Sequence, residues 1–238
     1  MTPHDDDMTP RDDRLPPGDG AAAPSNGGLP PRGDHRVGVL LLAAGSSTRM
    51  GENKMLMEID GDTVLRRAAK TAVAAGLDPV VVVTGHEREH AETQIDGLGC
   101  TTAFNADHEA GIHTSVRTGI DALPDSVDAV VIMLADMPLV SADMLRDLIT
   151  AYRDSDAPLV ISRYGGEIPA PPMLYERTLF GELRVMQRRC GREVVRRHRD
   201  EARALEWPLE ALADIDTPDD FASIRATMDA PQEEIDEG

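Results

Sequence analysis

Aromatic side chains are scarce in this 238-residue chain: Phe, Tyr and Trp together make up 3%. That shortage removes the stacking platforms on which bases of single-stranded nucleic acid are held. It leaves Val, Leu, Ala, Ile and Met to fill the core, within an apolar total of 41%. Positive charge is short as well, with 24 basic residues against 43 acids and a formal charge of -19. A surface this acidic repels a phosphate backbone, so no nucleic-acid partner is expected. Any polyanionic ligand has to be met by a local cationic pocket and a metal rather than by the global field. Cys100 and Cys190 are the only cysteines, without a CxxC pair or a His at zinc spacing, which argues against a disulfide scaffold or a structural zinc site. No segment reaches the ~18 apolar residues of a membrane span. The N-terminus carries acids where a secretory signal has its apolar stretch. The expected setting is cytoplasmic, with no membrane partner.

Length fits one domain with tails. Residues 1–36 are rich in Pro, Gly and Asp and almost without aliphatics, a composition that cannot offset ordering entropy, so a disordered tail is expected there. Its run from His4 to Asp7 could be drawn as a metal site, but in such a segment it reads as a solvated charge run. Residues 37–228 are expected to form the domain, and 229–238 a second, acidic tail. Seven Asp and four Arg give residues 1–36 a net -3, and five acids without a base give 229–238 a net -5. The remaining -11 lies in the domain and speaks of an acidic host rather than of chemistry.

From Val37 onward strands and helices alternate. Val37–Ala43 is an aliphatic run ended by Gly45, a buried strand followed by a tight loop. Asp62–Ala75 has apolar residues at helical spacing and Gly76 to stop it. Pro79–Thr84 reads as a strand, Glu87–Ile95 as a helix, Cys100–Phe104 as a short strand and Thr114–Leu123 as a helix. Asp128–Ala135 is again a strand, Ala142–Tyr152 a helix that Ser141 can cap, and Pro158–Ser162 a strand. The final third is less regular. It offers a Pro-rich turn at Pro169–Pro172, an Arg-rich helix near Leu183–His198, a strand near Leu205–Pro208 and a last helix. Thr217 caps that helix, Pro218 takes its first turn, and Asp219 and Asp220 face its positive end. The alternation predicts one α/β domain with a doubly wound, mostly parallel sheet and helices on both faces.

The first strand feeds the loop Leu42-Ala43-Ala44-Gly45-Ser46-Ser47-Thr48-Arg49-Met50-Gly51-Glu52-Asn53-Lys54. Open α/β sheets bind ligands at the C-terminal edges of their strands. Small residues there let backbone N–H groups close around phosphates as an anion nest, and Arg49 and Lys54 add charge for a triphosphate. The spacing of Gly45 and Gly51 matches neither a Walker A loop nor the GxGxxG fingerprint. Lys54 stands out because the chain has 22 Arg and only two Lys. Where Arg is so preferred, a Lys in a glycine-bearing loop points to a need for a compact ammonium. Asp136 follows the Asp128–Ala135 strand, where a carboxylate can hold Mg²⁺; the alternative is an Asp capping the next helix, although Ser141 already serves there. Asp216 is a second candidate ligand or a turn Asp before the last helix.

Leu42 to Lys54 resembles the LAAGxSxRMGxxK signature of the molybdenum cofactor cytidylyltransferase branch of the molybdopterin nucleotidyltransferases. Thr84-Gly85-His86, Asn105 through Gly111 to Ser115, Leu134-Ala135-Asp136-Met137-Pro138 and Asp214-Ile215-Asp216-Thr217-Pro218 resemble further stretches of that family in order. The similarity runs from about Val37 to Met228. It implies a fold like that of the nucleotide-diphospho-sugar transferases, CTP as the donor, Mg²⁺ as the cofactor, and molybdopterin or its molybdenum-loaded form as the acceptor. A molybdoenzyme or its maturation factor would then be a partner. It implies that Arg49, Lys54 and Asp136 are catalytic, that Leu42, Ala43, Ala44, Gly45, Ser46, Ser47, Thr84, Gly85, Asn105, Gly111 and Ser115 bind the nucleotide, and that Asp136 and Asp216 hold the metal. Asn105, Gly111 and Ser115 would close over base and ribose. Ala44 stands where guanylyl-transferring relatives tend to carry a second Gly, which favours cytidine.

Two stretches depart from the pattern. Pro169-Ala170-Pro171-Pro172 stands where the family has a Gly-His-Pro, and Arg188-Arg189-Cys190-Gly191-Arg192-Glu193 replaces a GDxGAR loop, with only Gly191 in agreement. Arg188, Arg189 and Arg192 could grip an anionic acceptor or form a solvated helix face. Three other functions stay open on the sequence: a related nucleotidyltransferase with a different phosphorylated acceptor, a non-catalytic molybdenum-cofactor carrier, and a nicotinamide-dependent reductase. The absence of GxGxxG disfavours the last.

Overall fold

The computed structural model describes residues 32–45, 53–187 and 191–229. Strand β1 (Val37–Leu42) is buried along its whole length, as a strand flanked on both sides and covered on both faces must be. The hairpin β2 (Glu58–Ile59) and β3 (Asp62–Thr63) leads into α1 (Val64–Ala74), where the Thr63 hydroxyl accepts from the Arg66 N–H as N-cap. Then come β4 (Val80–Thr84), α2 (Arg88–Gln94), β5 (Thr101–Phe104), α3 (Ile112–Ala122), β6 (Ala129–Leu134) and α4 (Ala142–Arg153), capped by Ser141 as expected. The last third holds β7 (Leu159–Tyr164), β8 (Ile168–Pro169), β9 (Met173–Glu176), α5 (Phe180–Val185), α6 (Arg192–His198), β10 (Arg203–Trp207) and α7 (Pro218–Asp229).

The main sheet runs β10-β7-β9-β6-β1-β4-β5, with β8 added to β7. The block β6, β1, β4, β5 is parallel, in register Leu42↔Leu134 and Leu42↔Val83. Strand β9 runs antiparallel between β6 and β7. Side chains of alternate sign along each strand feed two cores. One packs Leu41, Val82 and Val131 against α1 and α4, the other packs Leu40, Val83 and Ile132 against α3 and α5. The sheet is therefore doubly wound and mostly parallel, with helices on both faces. On the second face α3 comes close to β1 because Gly119 has no side chain. A Cβ there would lie 2.8 Å from a Leu40 methyl.

Three expectations need correction. Strand β9 has no counterpart in the predicted alternation, since it begins directly after Pro171-Pro172 and spans four residues. Pro169 itself lies in β8, on the sheet's fringe, where a missing N–H does no harm. The single Arg-rich helix at Leu183–His198 is broken. Met186 turns extended at the end of α5 (ψ 148°), and Gly191 at the start of α6 has φ 79°, a conformation no helix interior adopts. Residues 188–190 lie outside the described residues.

The third correction concerns the domain's start, drawn at Val37 from composition. Arg32–Asp34 forms a short 3₁₀ turn in which Arg32 is buried. Its guanidinium donates to the carbonyls of Ser155, Asp156 and Ala157 and pairs with Glu176 at 2.9 Å. It also sits 4.6 Å over the Tyr152 ring. No helix among the described residues is long and apolar enough to cross a membrane. Removing one partner of a buried ion pair strands the other. Arg32→Ala is expected to lower folding stability by about 3 kcal/mol, read as a lower urea midpoint at unchanged slope; an unchanged midpoint would show that residues 32–36 do not brace the domain.

Candidate functional site

Strands β1, β4 and β6 are parallel, so their C-terminal ends, and the loops that leave them, share one edge. Leu42, Ala43 and Ala44 are buried there and Gly45 is exposed. The chain is held down by Ala43 N–H to Val83 O and Ala135 N–H to Leu42 O. Arg49, Ser46 and Ser47 fall outside the described residues. The described chain resumes at Asn53, whose side chain accepts from Met55 N–H to cap the 3₁₀ turn Lys54–Leu56 and donates to Glu87 at 2.7 Å.

That turn aims Lys54 inward. Its side chain is 10% exposed, and its ammonium meets Asp136 Oδ2 at 2.6 Å, Asp216 Oδ1 at 3.1 Å and the Ile215 carbonyl at 2.7 Å. Asp136 stands just past β6 and accepts through its own carbonyl from Ile215 N–H at 3.0 Å. Asp216 is placed by the start of α7, where the Asp220 carboxylate takes the backbone N–H groups of Asp216 and Thr217, while the Thr217 hydroxyl accepts from Asp220 N–H. Burial works against the Lys54 charge, but the Asp136 charge and hydrogen bond, joined by Asp216, outweigh it and hold the pKa above the ordinary lysine value. Asp214 is pushed up, first by desolvation and then by the Asp216 and Asp136 charges. Sequence reading paired Asp136 with Asp216 as metal ligands and gave Lys54 to the phosphates; the structure joins all three around one ammonium. It also adds the Ile215 carbonyl, which nothing in the side-chain pattern marks.

The donor set suits a hard divalent cation. Two carboxylates converge on one positive centre, and oxygen ligands are what Mg²⁺ takes. Among the described residues no group of three His, Cys, Asp or Glu forms a cage. A magnesium ion here would complete its shell with nucleotide oxygens and water, as it commonly does at phosphate-transfer sites.

Across the edge, Gly85 allows a close approach of two segments. A Cβ on it would fall 2.7 Å from the Ala44 carbonyl and 2.8 Å from the His108 side chain. The Thr84 hydroxyl is fully buried with no hydrogen-bond partner among the described residues. Asn105, expected over the base, is 2% exposed. Its amide nitrogen donates to Thr114 and Ser115 at 2.8 and 2.9 Å, and its oxygen accepts from Asp107 N–H. Asn105 thus fixes the 105–115 loop from within, and Ser115 is one of its anchors. Gly111, with φ 121°, makes the turn into α3.

A cavity of about 970 Å³ opens on the sheet face that carries α3, α5 and α6. Leu42 and Leu134 form the end nearest Asp136, and Pro169–Pro171 and Arg192 belong to its walls. Of the three arginines proposed as an acceptor grip, Arg192 is the one within the described residues.

Residues 39–202 match the MobA-like NTP transferase domain. The chain belongs to the MobA-like NTP transferase family. The purine catabolism protein PucB of Bacillus subtilis (strain 168) is 32% identical over 213 residues, covering 83% of this chain and 99% of PucB. Among solved structures, Rv0371c of Mycobacterium tuberculosis H37Rv superposes with a TM-score of 0.71 at 26% identity, over 81% of this chain and 98% of that one. A second structure of Rv0371c, a complex with manganese, gives a TM-score of 0.69 at 24% identity, over 81% of this chain and 99% of that one.

As a MobA-like NTP transferase the chain is a nucleotidyltransferase by family, and its matched span starts in β1 and includes the loop, Lys54 and Asp136. Asp216 and the Ile215 carbonyl lie beyond that span and reach the site through α7's capped start. Because the folded-state pKa of Lys54 lies above its unfolded value, the stability it brings is complete below the ordinary lysine pKa and is lost only as pH rises through the folded value. Lys54→Met is expected to cost on the order of 2 kcal/mol at pH 7, less than a fully buried pair because water reaches Asp216. The gap to wild type should stay constant from about pH 7 to 10 and close above that. Urea titrations across that range check it; a gap already gone at pH 8 would remove the ammonium from the account.

Proposed function

We propose that the protein transfers CMP from CTP to molybdopterin or its molybdenum-loaded form and releases pyrophosphate. The observation that carries this is the convergence of Lys54, Asp136 and Asp216 at the strand edge, beside a cavity large enough for the acceptor. An oxygen of the acceptor phosphate attacks the α-phosphorus in line. The new O–P bond forms as the bond to the β-phosphate oxygen breaks, and pyrophosphate departs with the electron pair. Such a reaction asks the protein for positioning and charge neutralisation more than for a covalent nucleophile.

Within this reading, Arg49 and the Gly45–Ser47 backbone hold the triphosphate, and Leu42, Ala43 and Ala44 lie under the nucleotide. Ala44 admits cytosine, while Thr84, Gly85, Asn105, Gly111 and Ser115 shape the base side. Lys54 holds the Asp136 and Asp216 carboxylates in place. These two carboxylates would hold Mg²⁺, which when bound supplies charge stabilisation at the phosphates; the manganese complex of Rv0371c supports a divalent ion. CTP is a cytoplasmic metabolite, and the cytoplasm is where we place the enzyme. Its product would pass to a molybdoenzyme or its maturation factor.

A second reading, transfer to another phosphorylated acceptor, is favoured by one specific feature: the stretches at 169–172 and 188–193 differ from the cytidylyltransferase pattern, and Pro169–Pro171 and Arg192 line the cavity. Incubating the pure protein with each NTP, Mg²⁺ and molybdopterin while following pyrophosphate separates the two. CTP should turn over fastest. Asp136→Asn should fold normally and lose roughly 10²–10³ in rate, the usual effect of removing transition-state charge stabilisation. Wild-type turnover in that variant at the same Mg²⁺ concentration would refute the metal assignment. A wild type that releases pyrophosphate only with some other phosphorylated acceptor would select the second reading.

A further inference from the structure

The loop that leaves β1 at Ala44 returns at Asn53, and both of its ends meet one short segment, Gly85-His86-Glu87. The Ala44 carbonyl lies so close to Gly85 that a Cβ there would fall 2.7 Å from it. Asn53 Nδ2 donates to Glu87 Oε2 at 2.7 Å. An isolated backbone bridge between Gly85 and Glu87 holds the segment itself.

Glu87 sits in the left-handed region, at φ 50° and ψ 43°, where an L side chain crowds its own backbone. Among the described residues one other non-glycine has a positive φ, Asp60. Asp60 turns the β2–β3 hairpin beside Gly61, and a two-residue turn asks for that conformation. No hairpin accounts for Glu87, and glutamate is not among the residue types enriched in this region. Nor does its carboxylate cap α2, which begins at the next residue. It crosses to Asn53 instead.

That contact bears on Lys54. Asn53 uses both ends of its amide, since Oδ1 accepts from Met55 N–H at 3.0 Å while Nδ2 binds Glu87; exchanging oxygen and nitrogen would lose both bonds. The turn Lys54–Leu56 is closed by Leu56 N–H to Asn53 O at 3.0 Å and Met57 N–H to Lys54 O at 3.3 Å. So short a 3₁₀ turn does little to hold itself, and its cap is fixed from outside by Glu87. Lys54 follows Asn53 directly, and its ammonium has to meet Asp136 and Asp216.

We propose that Glu87 is a positioning residue: through Asn53 its carboxylate fixes the turn that presents Lys54, and so sets how Asp136 and Asp216 are held together. The proposal adds a residue to the divalent-cation reading above and rests on that reading for one of its two measurements. The left-handed backbone of Glu87 is the strain that this placement carries.

The test uses the full-length protein, with Mn²⁺ alone titrated by electron paramagnetic resonance and with urea unfolding. Glu87→Gly removes the carboxylate and suits the left-handed backbone, so its urea midpoint should stay at or above that of wild type. Its Mn²⁺ affinity should nevertheless fall about fivefold, the worth of one hydrogen bond, because the ammonium charge remains and only its placement is lost. A residue serving the fold alone would not separate the two readings in this way. Glu87→Gln, whose amide oxygen can still accept from Asn53, should stay within about twofold of wild type. Asn53→Ala should match Glu87→Gly, and the two together should do no more than either. Lys54→Met should lower the urea midpoint less in Glu87→Gly than in wild type, since coupled residues are not additive. Wild-type Mn²⁺ affinity in Glu87→Gly, a glutamine variant as weak as the glycine one, or an equal effect of Lys54→Met in both backgrounds overturns the proposal. Mn²⁺ binding that Asp136→Asn leaves unchanged would sink the metal reading, and the urea comparison would then decide the role of Glu87 by itself.

Discussion

Everything at the working edge depends on one ammonium ion held out of water between two carboxylates. Asp136 and Asp216 come from places far apart in the chain, and Lys54 brings their carboxylates to one centre. Lys54 reaches Asp216 over 162 positions and Ile215 over 161, so the charge also acts as a tie. It fastens the turn Lys54–Leu56 to the end of β6 and to the approach of α7. An arginine would fit badly here. Its broad, planar fork spreads charge over five donors, whereas a tetrahedral ammonium can meet three acceptors from three directions. That explains why a chain so strongly biased toward arginine keeps a lysine at this point.

The sheet then separates two tasks by face and by half. Parallel strands β1, β4 and β6 deliver their ends to a common rim, where Gly85 and the Asn105 network bring loops into contact. The second face, together with β7 and β9, frames the cavity. Leu42 and Leu134, paired across β1 and β6, also line the cavity.

Much of this was legible in the residues. The aliphatic runs of β1, β4 and β6 are continuous because both faces of those strands are covered, and they are the strongest signals in the chain. Helix caps at Ser141 and Thr217 were readable because capping is local chemistry. What escaped was non-local. A four-residue strand such as β9 carries no periodicity of its own, and its place between β6 and β7 is decided by pairing, not by composition. Arg32 looked like part of a polar tail because its partners are carbonyls of residues 155–157, which no pattern near Arg32 announces. Asn105 was expected over the base, but its amide turns inward to Thr114 and Ser115 and holds the loop that it seemed to crown. The loop signature pointed to Lys54 and the end of the Asp128–Ala135 strand to Asp136; that they touch was a fact of three dimensions.

The direction of β9 has an evolutionary consequence. It is joined by antiparallel ladders to β6 on one side and to β7 on the other, so it runs against both neighbours. Met173 and Tyr175, which line the cavity, belong to this reversed strand. Insertions before β9, or a change in the proline turn that precedes it, can remodel the chamber's wall while the parallel block stays in register. A lineage with this architecture can vary the wall of the cavity while the parallel strands keep their pairing.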